Sequence, residues 1–357
     1  MKTSSAIART AQVATGIVAT AALCKLLHRQ TKQPNEDKVV VITGGSRGLG
    51  LALAERYGRT GAKLVLAARN PDELASARSI LLQRKTIRSA DDVLLVPADL
   101  TDPAQAARLI EQAIARFGHI DILINDAGII QGGPFENQPL SAFRQAMDTN
   151  FFAALHTIQA AVPHLLQRRE ATGKQSSIVN ITSIGGKFAV PHLLPYVASK
   201  FAFVGFSEGL HAELRHKGIR VTTVCPGLMR TGSHVQAEFV GNRQKEFRWF
   251  ALSATTPGVA TSARHAANRI YSAVAAGCAE ITITPQAWLA ARMVGVAPAT
   301  TQYLASLANE YVLPSPSIGN EPVIGFDVPH STSTRVRKLQ EKHNQQPPRN
   351  QQLPYEA

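Results

Sequence analysis

Cysteine is scarce in this sequence, and its placement excludes two kinds of protein. The three cysteines, Cys24, Cys225 and Cys278, are odd in number and far apart. Neither a disulfide framework nor a cysteine-ligated metal site is therefore indicated. This usage favours a reducing compartment, and we expect no metal.

Acidic residues are also few, with 25 aspartates and glutamates against 38 lysines and arginines and a net charge of +13. The excess cations concentrate towards the two ends of the chain, and no motif of a nucleic-acid-binding module accompanies them. We therefore expect no nucleic-acid partner. An anionic small molecule or a lipid surface accounts for the charge at least as well.

Long apolar runs are missing as well. The apolar, uncharged segment 11–24 is shorter than the roughly 20 residues of a spanning helix, and cations lie on both sides of it, the heavier cluster at 25–32. Three interpretations stay open: a membrane anchor or interfacial helix, a disordered or packing arm, and a cleaved signal peptide. The charge asymmetry predicts that an anchored form would keep the rest of the chain in the cytoplasm.

Alternating strand and helix patterns run from residue 38 to about 285. They predict an α/β fold with one doubly wound sheet of seven parallel strands and helices on both faces, a Rossmann fold. The predicted strands are 39–43, 64–68, 93–97, 122–125, 178–181, 221–225 and 280–284. We expect four regions along the chain: an apolar and basic segment 1–34, the main domain 35–285, a helical extension 286–330 and a disordered tail 331–357.

A glycine-rich turn follows the first predicted strand. Residues 44–50 read Gly-Gly-Ser-Arg-Gly-Leu-Gly and lead into a helical pattern, an arrangement that aims a helix N-terminus at a pyrophosphate. The second strand ends at Ala68, where NAD-binding chains usually carry an acidic residue, and Arg69 follows it. Arg47 and Arg69 are cationic, and no carboxylate accompanies them in these two motifs. NADP(H) is therefore the expected cofactor and NAD(H) the weaker alternative.

Tyr196 and Lys200 are four residues apart, so a helix places them on one face. A phenol titrates near pH ~10, and a neighbouring ammonium would favour its ionised form. We therefore expect Lys200 to lower the pKa of Tyr196 and to make the phenol usable in acid–base chemistry near neutral pH. Ser183, at the end of a predicted strand, could bond a substrate oxygen.

Taken together, these motifs resemble the short-chain dehydrogenase/reductase family in its single-domain form, from about residue 38 to about 285. The resemblance implies catalytic roles for Asn150, Ser183, Tyr196 and Lys200, with Asn150 holding a water in the proton relay. It also implies adenine contact at Asp99 and a carboxamide contact at Thr231. The expected cofactor-binding residues are Thr43, Gly44, Ser46, Arg47, Gly48, Leu49, Gly50, Arg69, Asp99, Leu100, Asn125, Ala127, Gly128, Tyr196, Lys200, Pro226, Gly227 and Thr231.

The sequence departs from the family pattern at two places. Asp126 stands where the family usually has asparagine, and a charge beside a buried strand end is costly unless it is hydrogen-bonded. The polar run 167–175 lengthens the stretch between Asn150 and Ser183. We expect this run to form a loop that projects into solvent.

Beyond Thr231 the sequence predicts a substrate lid over 232–258. Its Phe239, Phe247, Trp249 and Phe250 could line an apolar pocket or pack the lid on the core. Two apolar-faced helices are predicted within 286–313, where they could cover the mouth of the site or touch lipid or a partner subunit. The resemblance implies a homo-oligomer, a dimer or tetramer.

Two functions from different classes remain open. The first is an NADP(H)-dependent oxidoreductase that interconverts a carbonyl and an alcohol, with an apolar substrate and a location in the cytoplasm, either free or at a membrane surface. The second is a catalytically silent protein of the same fold that senses a cofactor or acts as a scaffold. Retention of Ser183, Tyr196, Lys200 and Asn150 together favours the enzyme.

Overall fold

The computed structural model describes residues 38–256, 258–317 and 319–328; the predicted regions 1–34 and 331–357 lie outside them. Seven parallel strands form the central sheet in the order β3-β2-β1-β4-β5-β6-β7. The prediction of a seven-stranded parallel sheet is confirmed. The strands are β1 (Val39–Thr43), β2 (Lys63–Ala68), β3 (Val93–Pro97), β4 (Ile122–Asn125), β5 (Ser176–Ile181), β6 (Ile219–Cys225) and β7 (Glu280–Thr282).

Helices cover both faces of the sheet, as expected for a doubly wound fold. The helices of eight or more residues are α1 (Gly48–Gly58), α2 (Pro71–Gln83), α3 (Pro103–Phe117), α4 (Leu140–Met147), α5 (Ala153–Thr172), α6 (Leu194–Arg215), α7 (Arg243–Thr255), α8 (Ala263–Ala276), α9 (Pro285–Val296) and α10 (Pro298–Tyr311). Alternate β1 residues face opposite layers: Val40 and Ile42 pack against α1, α2 and α8, whereas Val39 and Val41 pack against α3, α5 and α6.

The register brings the carboxyl ends of the central strands to one edge. Thr43 at the end of β1 is level with Ala67 on one side and Asn125 on the other, and Asn125 is level with Asn180. The strand order reverses at β1, because β2 and β4 flank it. Ligands of open α/β sheets bind at such a reversal, beyond the carboxyl ends of the strands.

The prediction of a solvent loop at 167–175 is wrong over most of its length. Helix α5 continues through this run to Thr172, despite an internal proline at Pro163, and ends at Gly173 with a φ of 69°. Glu170 and Ala171 favour helix, and glycine accepts the left-handed conformation that ends it. The polar run 167–175 therefore lengthens α5, away from the carboxyl ends of the strands.

The helices α9 and α10 follow the last strand and bury little of their surface. Ala287 is the buried residue of α9 and Thr301 that of α10. Large apolar side chains on this pair are exposed to solvent: Trp288, Leu289, Met293, Val296, Tyr303, Leu304 and Tyr311. Within the described part of the chain, no helix has both the length and the apolar character needed to cross a bilayer.

Candidate active site

Three polar side chains converge at the carboxyl edge of the sheet where β5 meets α6. Ser183 follows β5 and its Oγ accepts a hydrogen bond from the Gly185 amide at 2.9 Å. Tyr196 lies in the first turn of α6 and its phenol is hydrogen-bonded to Ser183. Lys200, one turn further on, is buried; its Nζ lies 5.7 Å from the centre of the Tyr196 ring and donates to the Ile181 carbonyl at 3.0 Å. The structure therefore brings the predicted serine, tyrosine and lysine together.

The expected lowering of the Tyr196 pKa is wrong. The pKa of the phenol is raised to about 12, mainly by burial; the hydrogen bond with Ser183 opposes the rise and the nearby Asp126 adds to it. Burial also lowers the pKa of Lys200 to about 8, with Asp126 opposing that shift. The phenol is consequently protonated at neutral pH, which suits it to donate a proton rather than to accept one.

Asn150 lies in a π-helical turn, Asp148–Phe152, between α4 and α5. Such turns are short interruptions of a helix that often occur at functional sites. The Asn150 side chain donates to the Ile129 carbonyl at 3.1 Å and the Ser199 Oγ at 2.9 Å, and it accepts from the Ile129 amide at 2.8 Å. A Cβ added to Gly128 would lie 2.8 Å from Asn150 Oδ1 and 3.6 Å from Lys200 Nζ. Asn150 and Lys200 therefore border the same small space.

The glycine-rich turn has the backbone shape that a bound phosphate requires. Gly44 and Gly48 have φ values of 68° and 57°, and a Cβ at Gly50 would collide with the Gly44 carbonyl. Arg47, the residue before α1, makes no capping bond with its side chain. The Gly50 amide of the first turn is bonded to Asp126, and the remaining first amides are of the kind that bind an anion. Thr231 lies beside Gly48, and the buried Leu49 anchors the turn in the core.

The side chain of Asn125, a predicted cofactor-binding residue at the end of β4, is hydrogen-bonded to two other protein side chains. Asn125 donates to Asn180 Oδ1 at 3.0 Å and accepts from Thr157 Oγ1 at 2.7 Å. Thr43 Oγ1 accepts from the amides of Asp126 and Ala127 at 3.1 and 3.2 Å. The sequence analysis missed Asn180 and Thr157, although a polar residue inside an apolar strand is a signal for such a network.

Four further predicted residues lie around this edge. Asp99 Oδ1 accepts from the Thr101 amide and hydroxyl at 3.0 and 2.8 Å, which fixes the turn after β3. Leu100 is buried next to it. The Pro226 carbonyl accepts from the Ile184 amide at 2.8 Å, and a Cβ at Gly227 would collide with Thr284.

A carboxylate does face Arg47, one of the two predicted phosphate-binding cations, contrary to the expectation. Arg47 NH1 lies 2.9 Å from Glu73 Oε1, and Ser46 Oγ donates to Glu73 Oε2 at 3.1 Å. Glu73 was missed because it lies 26 residues from Arg47 in sequence, in the first turn of α2. Arg69 is exposed, and no ion pair or hydrogen bond of its side chain occurs among the described residues.

Asp126 is an ionisable group that lies between the glycine-rich turn and the side chains of Tyr196 and Lys200. Burial raises its pKa to about 7, while the Lys200 charge and a hydrogen bond from the Gly50 amide lower it. The Gly50 amide belongs to the first turn of α1. The carboxyl of Asp126 thus links that turn to Lys200.

The aromatic residues predicted for the lid pack it onto the core. Phe239, Phe247 and Phe250 are buried, with ring centres 5.8 and 5.9 Å apart for the pairs that Phe239 forms with the other two. They surround Leu193 and Val197, on either side of Tyr196 in sequence. Of the two alternatives for these residues, packing on the core is the one that the structure supports.

A second unpredicted contact joins the lid to the turn before α6. His192, with a φ of 64°, bonds through Nδ1 to Glu246 Oε1 at 2.9 Å. Glu246 Oε2 also accepts from the Trp249 indole nitrogen at 2.7 Å. The three side chains connect α7 to the segment that carries Tyr196.

Known proteins resemble this chain in sequence and fold. The family model described as short chain dehydrogenase matches residues 38–238. The Anopheles gambiae protein named dehydrogenase/reductase SDR family protein 7-like is 33% identical over 80% of this chain and 84% of its own length. The Arabidopsis thaliana protein named 11-beta-hydroxysteroid dehydrogenase-like 4A is 36% identical over 55% of this chain, which matches 62% of that protein.

A solved structure shares the fold. A short chain dehydrogenase/reductase from Burkholderia phymatum, in complex with NAD, superimposes with a TM-score of 0.66 at 24% identity. The superposition covers 75% of this chain and 96% of that one. The likeness extends over the central sheet and its helices, which agrees with the architecture described above.

Proposed function

The chain belongs to the short-chain dehydrogenase/reductase family, and we propose that it is an NADP(H)-dependent enzyme that interconverts a carbonyl and an alcohol. The observation that carries the proposal is the convergence of Ser183, Tyr196 and Lys200, with Asn150 behind them, at the carboxyl edge of the sheet. The glycine-rich turn beside it, with left-handed glycines before a helix N-terminus, is typical of a dinucleotide site and supports the proposal. A bound nicotinamide would supply or accept the hydride.

The proton chemistry follows from the protein side chains. In the reducing direction Tyr196 donates its phenolic proton to the substrate oxygen, for which a protonated phenol is required. Ser183 hydrogen-bonds the same oxygen and polarises the carbonyl. The Lys200 ammonium stabilises the phenolate that forms, and Asn150 positions a water that returns the proton. In the oxidising direction the same groups act in reverse.

The assignment is tested by Tyr196→Phe in the full-length protein. We expect turnover of NADPH with a panel of ketones to fall by about 10²–10⁴-fold, the range typical of general acid catalysis, while the dissociation constant for NADPH stays near that of the wild type. Tyr303→Phe, at an exposed tyrosine of α10, is the matched control and should leave both unchanged. Near-wild-type turnover in Tyr196→Phe would contradict the assignment.

The alternative of a catalytically silent protein gives a different result in the same assay. Such a protein would bind NADPH and turn over no member of the panel, before any substitution is made. The buried position of Lys200 next to Tyr196 favours the enzyme, because burying an ammonium costs free energy that a catalytic role would explain. We therefore propose the enzyme and treat binding without turnover as the result that would reverse the choice.

We propose an apolar carbonyl compound of about steroid size as substrate, because one relative is named for a hydroxysteroid dehydrogenase activity. The competition test is a steroid ketone against a small polar ketone such as acetoin. The steroid should give the higher kcat/KM. Equal values for both, or a preference for the polar ketone, would refute the substrate class.

We further propose that the protein is cytoplasmic, associates with a membrane surface and forms a homo-oligomer. The apolar segment 11–24 with its cationic flank, and the exposed Trp288, Leu289 and Tyr303 of the C-terminal helices, support surface contact, since aromatic side chains favour the lipid interface. Deleting residues 1–32 should move the protein from the membrane to the soluble fraction with activity retained. Full-length protein already in the soluble fraction would contradict the membrane anchor.

The proposed homo-oligomer is tested separately by light scattering. A monomeric mass would contradict it.

A further inference from the structure

We propose that Glu73 is a specificity-determining residue that limits the preference of the site for a 2′-phosphate. The inference deepens the proposed function and rests on it. The carboxylate of Glu73 contacts Arg47 at 2.9 Å and Ser46 at 3.1 Å. These are two of the groups on the glycine-rich turn that could otherwise bind a phosphate.

Local structure fixes the position of Glu73. Asn70 caps α2, and its side chain accepts from the amides of Asp72 and Glu73 at 2.9 and 3.3 Å. The first turn of α2 is thereby held beyond the end of β2, and the Glu73 side chain extends from it across to the turn after β1. The pair is half-buried, with 37% of the Arg47 side chain and 24% of the Glu73 side chain exposed. An ion pair in this setting is less screened than one in open solvent.

A 2′-phosphate and a 2′-hydroxyl would interact with this pair in opposite ways. The phosphate is an acceptor with a charge of about −1.5 to −2 near neutral pH, so it would compete with Glu73 for Arg47 and would be repelled by the carboxylate. The ribose hydroxyl of NAD(H) is neutral and can donate a hydrogen bond to a carboxylate. Glu73 therefore disfavours the phosphorylated cofactor and favours the other.

Arg69 limits this effect without removing it. It is exposed next to the end of β2, and no partner of its side chain occurs in the part of the chain that the structure describes. One guanidinium therefore stays available to a 2′-phosphate while the other is neutralised by Glu73. A site with one available cation should bind both cofactors with a modest NADP(H) preference.

The test compares dissociation constants of NADPH and NADH for the full-length protein, measured by the fluorescence of the bound cofactor. Glu73→Gln keeps the shape of the side chain and removes its charge. We expect it to increase the affinity for NADPH relative to NADH by about 10-fold, the equivalent of one charge-assisted contact. Asp72→Asn, on the same turn at an exposed position with no side-chain contact to Arg47, changes the net charge equally and should alter the ratio by less than about 2-fold.

A double substitution tests the route through Arg47. In an Arg47→Gln background the gain from Glu73→Gln should shrink, because Arg47 can no longer be released and only the direct effects of the carboxylate on the phosphate and the hydroxyl remain. The inference would be overturned if Glu73→Gln and Asp72→Asn gave the same ratio of NADPH to NADH affinity. It would also be overturned if Glu73→Gln increased that ratio as much in the Arg47→Gln background as in the wild type. Failure of the wild type to bind either cofactor would instead contradict the proposed function itself.

Discussion

The buried carboxylate of Glu246 hydrogen-bonds the lid helix α7 to the segment that carries Tyr196. Its removal should measurably destabilise the protein. Glu246 has no exposed surface and His192 is 6% exposed. Both Glu246 oxygens accept hydrogen bonds, one from His192 at 2.9 Å and the other from the Trp249 indole nitrogen at 2.7 Å. Because α7 and the turn before α6 are far apart in sequence, this contact is a tertiary one that unfolding must break.

The perturbation is Glu246→Leu, which keeps the approximate volume and removes both acceptors. The His192 N–H would be left buried without an acceptor, at about 1–3 kcal/mol, and the N–H of the partly buried Trp249 would lose its acceptor as well. Breaking a buried pair by deleting one partner costs about 3–5 kcal/mol in other proteins. At about 2–4 °C per kcal/mol for a domain of this size, we expect Tm to fall by roughly 6–20 °C.

The assay is thermal unfolding of the full-length protein followed by circular dichroism, with urea unfolding as a second measure. Glu111→Leu, at an exposed position of α3, is the matched control and should leave Tm within about 2 °C of the wild type. Glu246→Gln, which retains one acceptor oxygen, should lie between the two. A Tm for Glu246→Leu within about 2 °C of the wild type would refute the reasoning.

Three further substitutions test separate parts of the structure. The pKa of Asp126 is raised from 3.8 to about 7, so the native protein holds a proton that the unfolded chain has lost between those pH values, and stability falls as pH rises from about 4 to about 7. Asp126→Asn should remove about 2–3 kcal/mol of this loss between pH 5 and pH 8, measured by urea unfolding at both pH values, and equal pH dependence in both proteins would contradict the assignment. Gly50→Ala would place a Cβ against the Gly44 carbonyl and should weaken NADPH binding by more than about 10-fold in a titration; unchanged affinity would contradict the shape inferred for the turn. Gly205→Ala, in the exposed interior of α6 with no atom within 4 Å of the added Cβ, should raise the free energy of unfolding by about 0.5–1 kcal/mol, and a loss of stability would show that the helix is not free to accept the methyl group.

Much of the sheet could be predicted from the sequence because its strands are short, β-branched and separated by helical patterns. The runs 39–43, 93–97 and 122–125 coincide with β1, β3 and β4. Parallel strands buried on both faces consist almost wholly of apolar residues, which makes them easy to find.

The error at 167–175 has a local physical cause. Polar composition was read as a loop, but a helix on the protein surface tolerates polar residues on every exposed position. Gln167, Arg168 and Arg169 all favour helix, and the signal that ends α5 is Gly173. Composition alone therefore located the wrong boundary, whereas the glycine would have located the right one.

Side-chain partners were the part of the site that spacing could not predict. The Tyr196 and Lys200 pair follows from one helical turn, but Arg47 meets Glu73 across 26 residues and His192 meets Glu246 across 54. Such contacts depend on how α2 and α7 pack against the sheet edge. No periodicity in the sequence records that packing.

The same limitation explains why two expectations about charge were wrong. A neighbouring lysine was expected to lower the pKa of Tyr196, and two arginines were expected to leave the phosphate site purely cationic. Each expectation counted the nearest charges in sequence, whereas burial dominates at Tyr196 and Glu73 faces Arg47 in space. If the inference about Glu73 holds, cofactor preference depends on this carboxylate as well as on the two arginines. At Tyr196 the carboxyl of Asp126 adds to the rise in pKa that burial causes. Both carboxylates lie outside the serine, tyrosine and lysine motif, so two chains that share the motif would differ in cofactor preference and pH dependence where they differ at these positions.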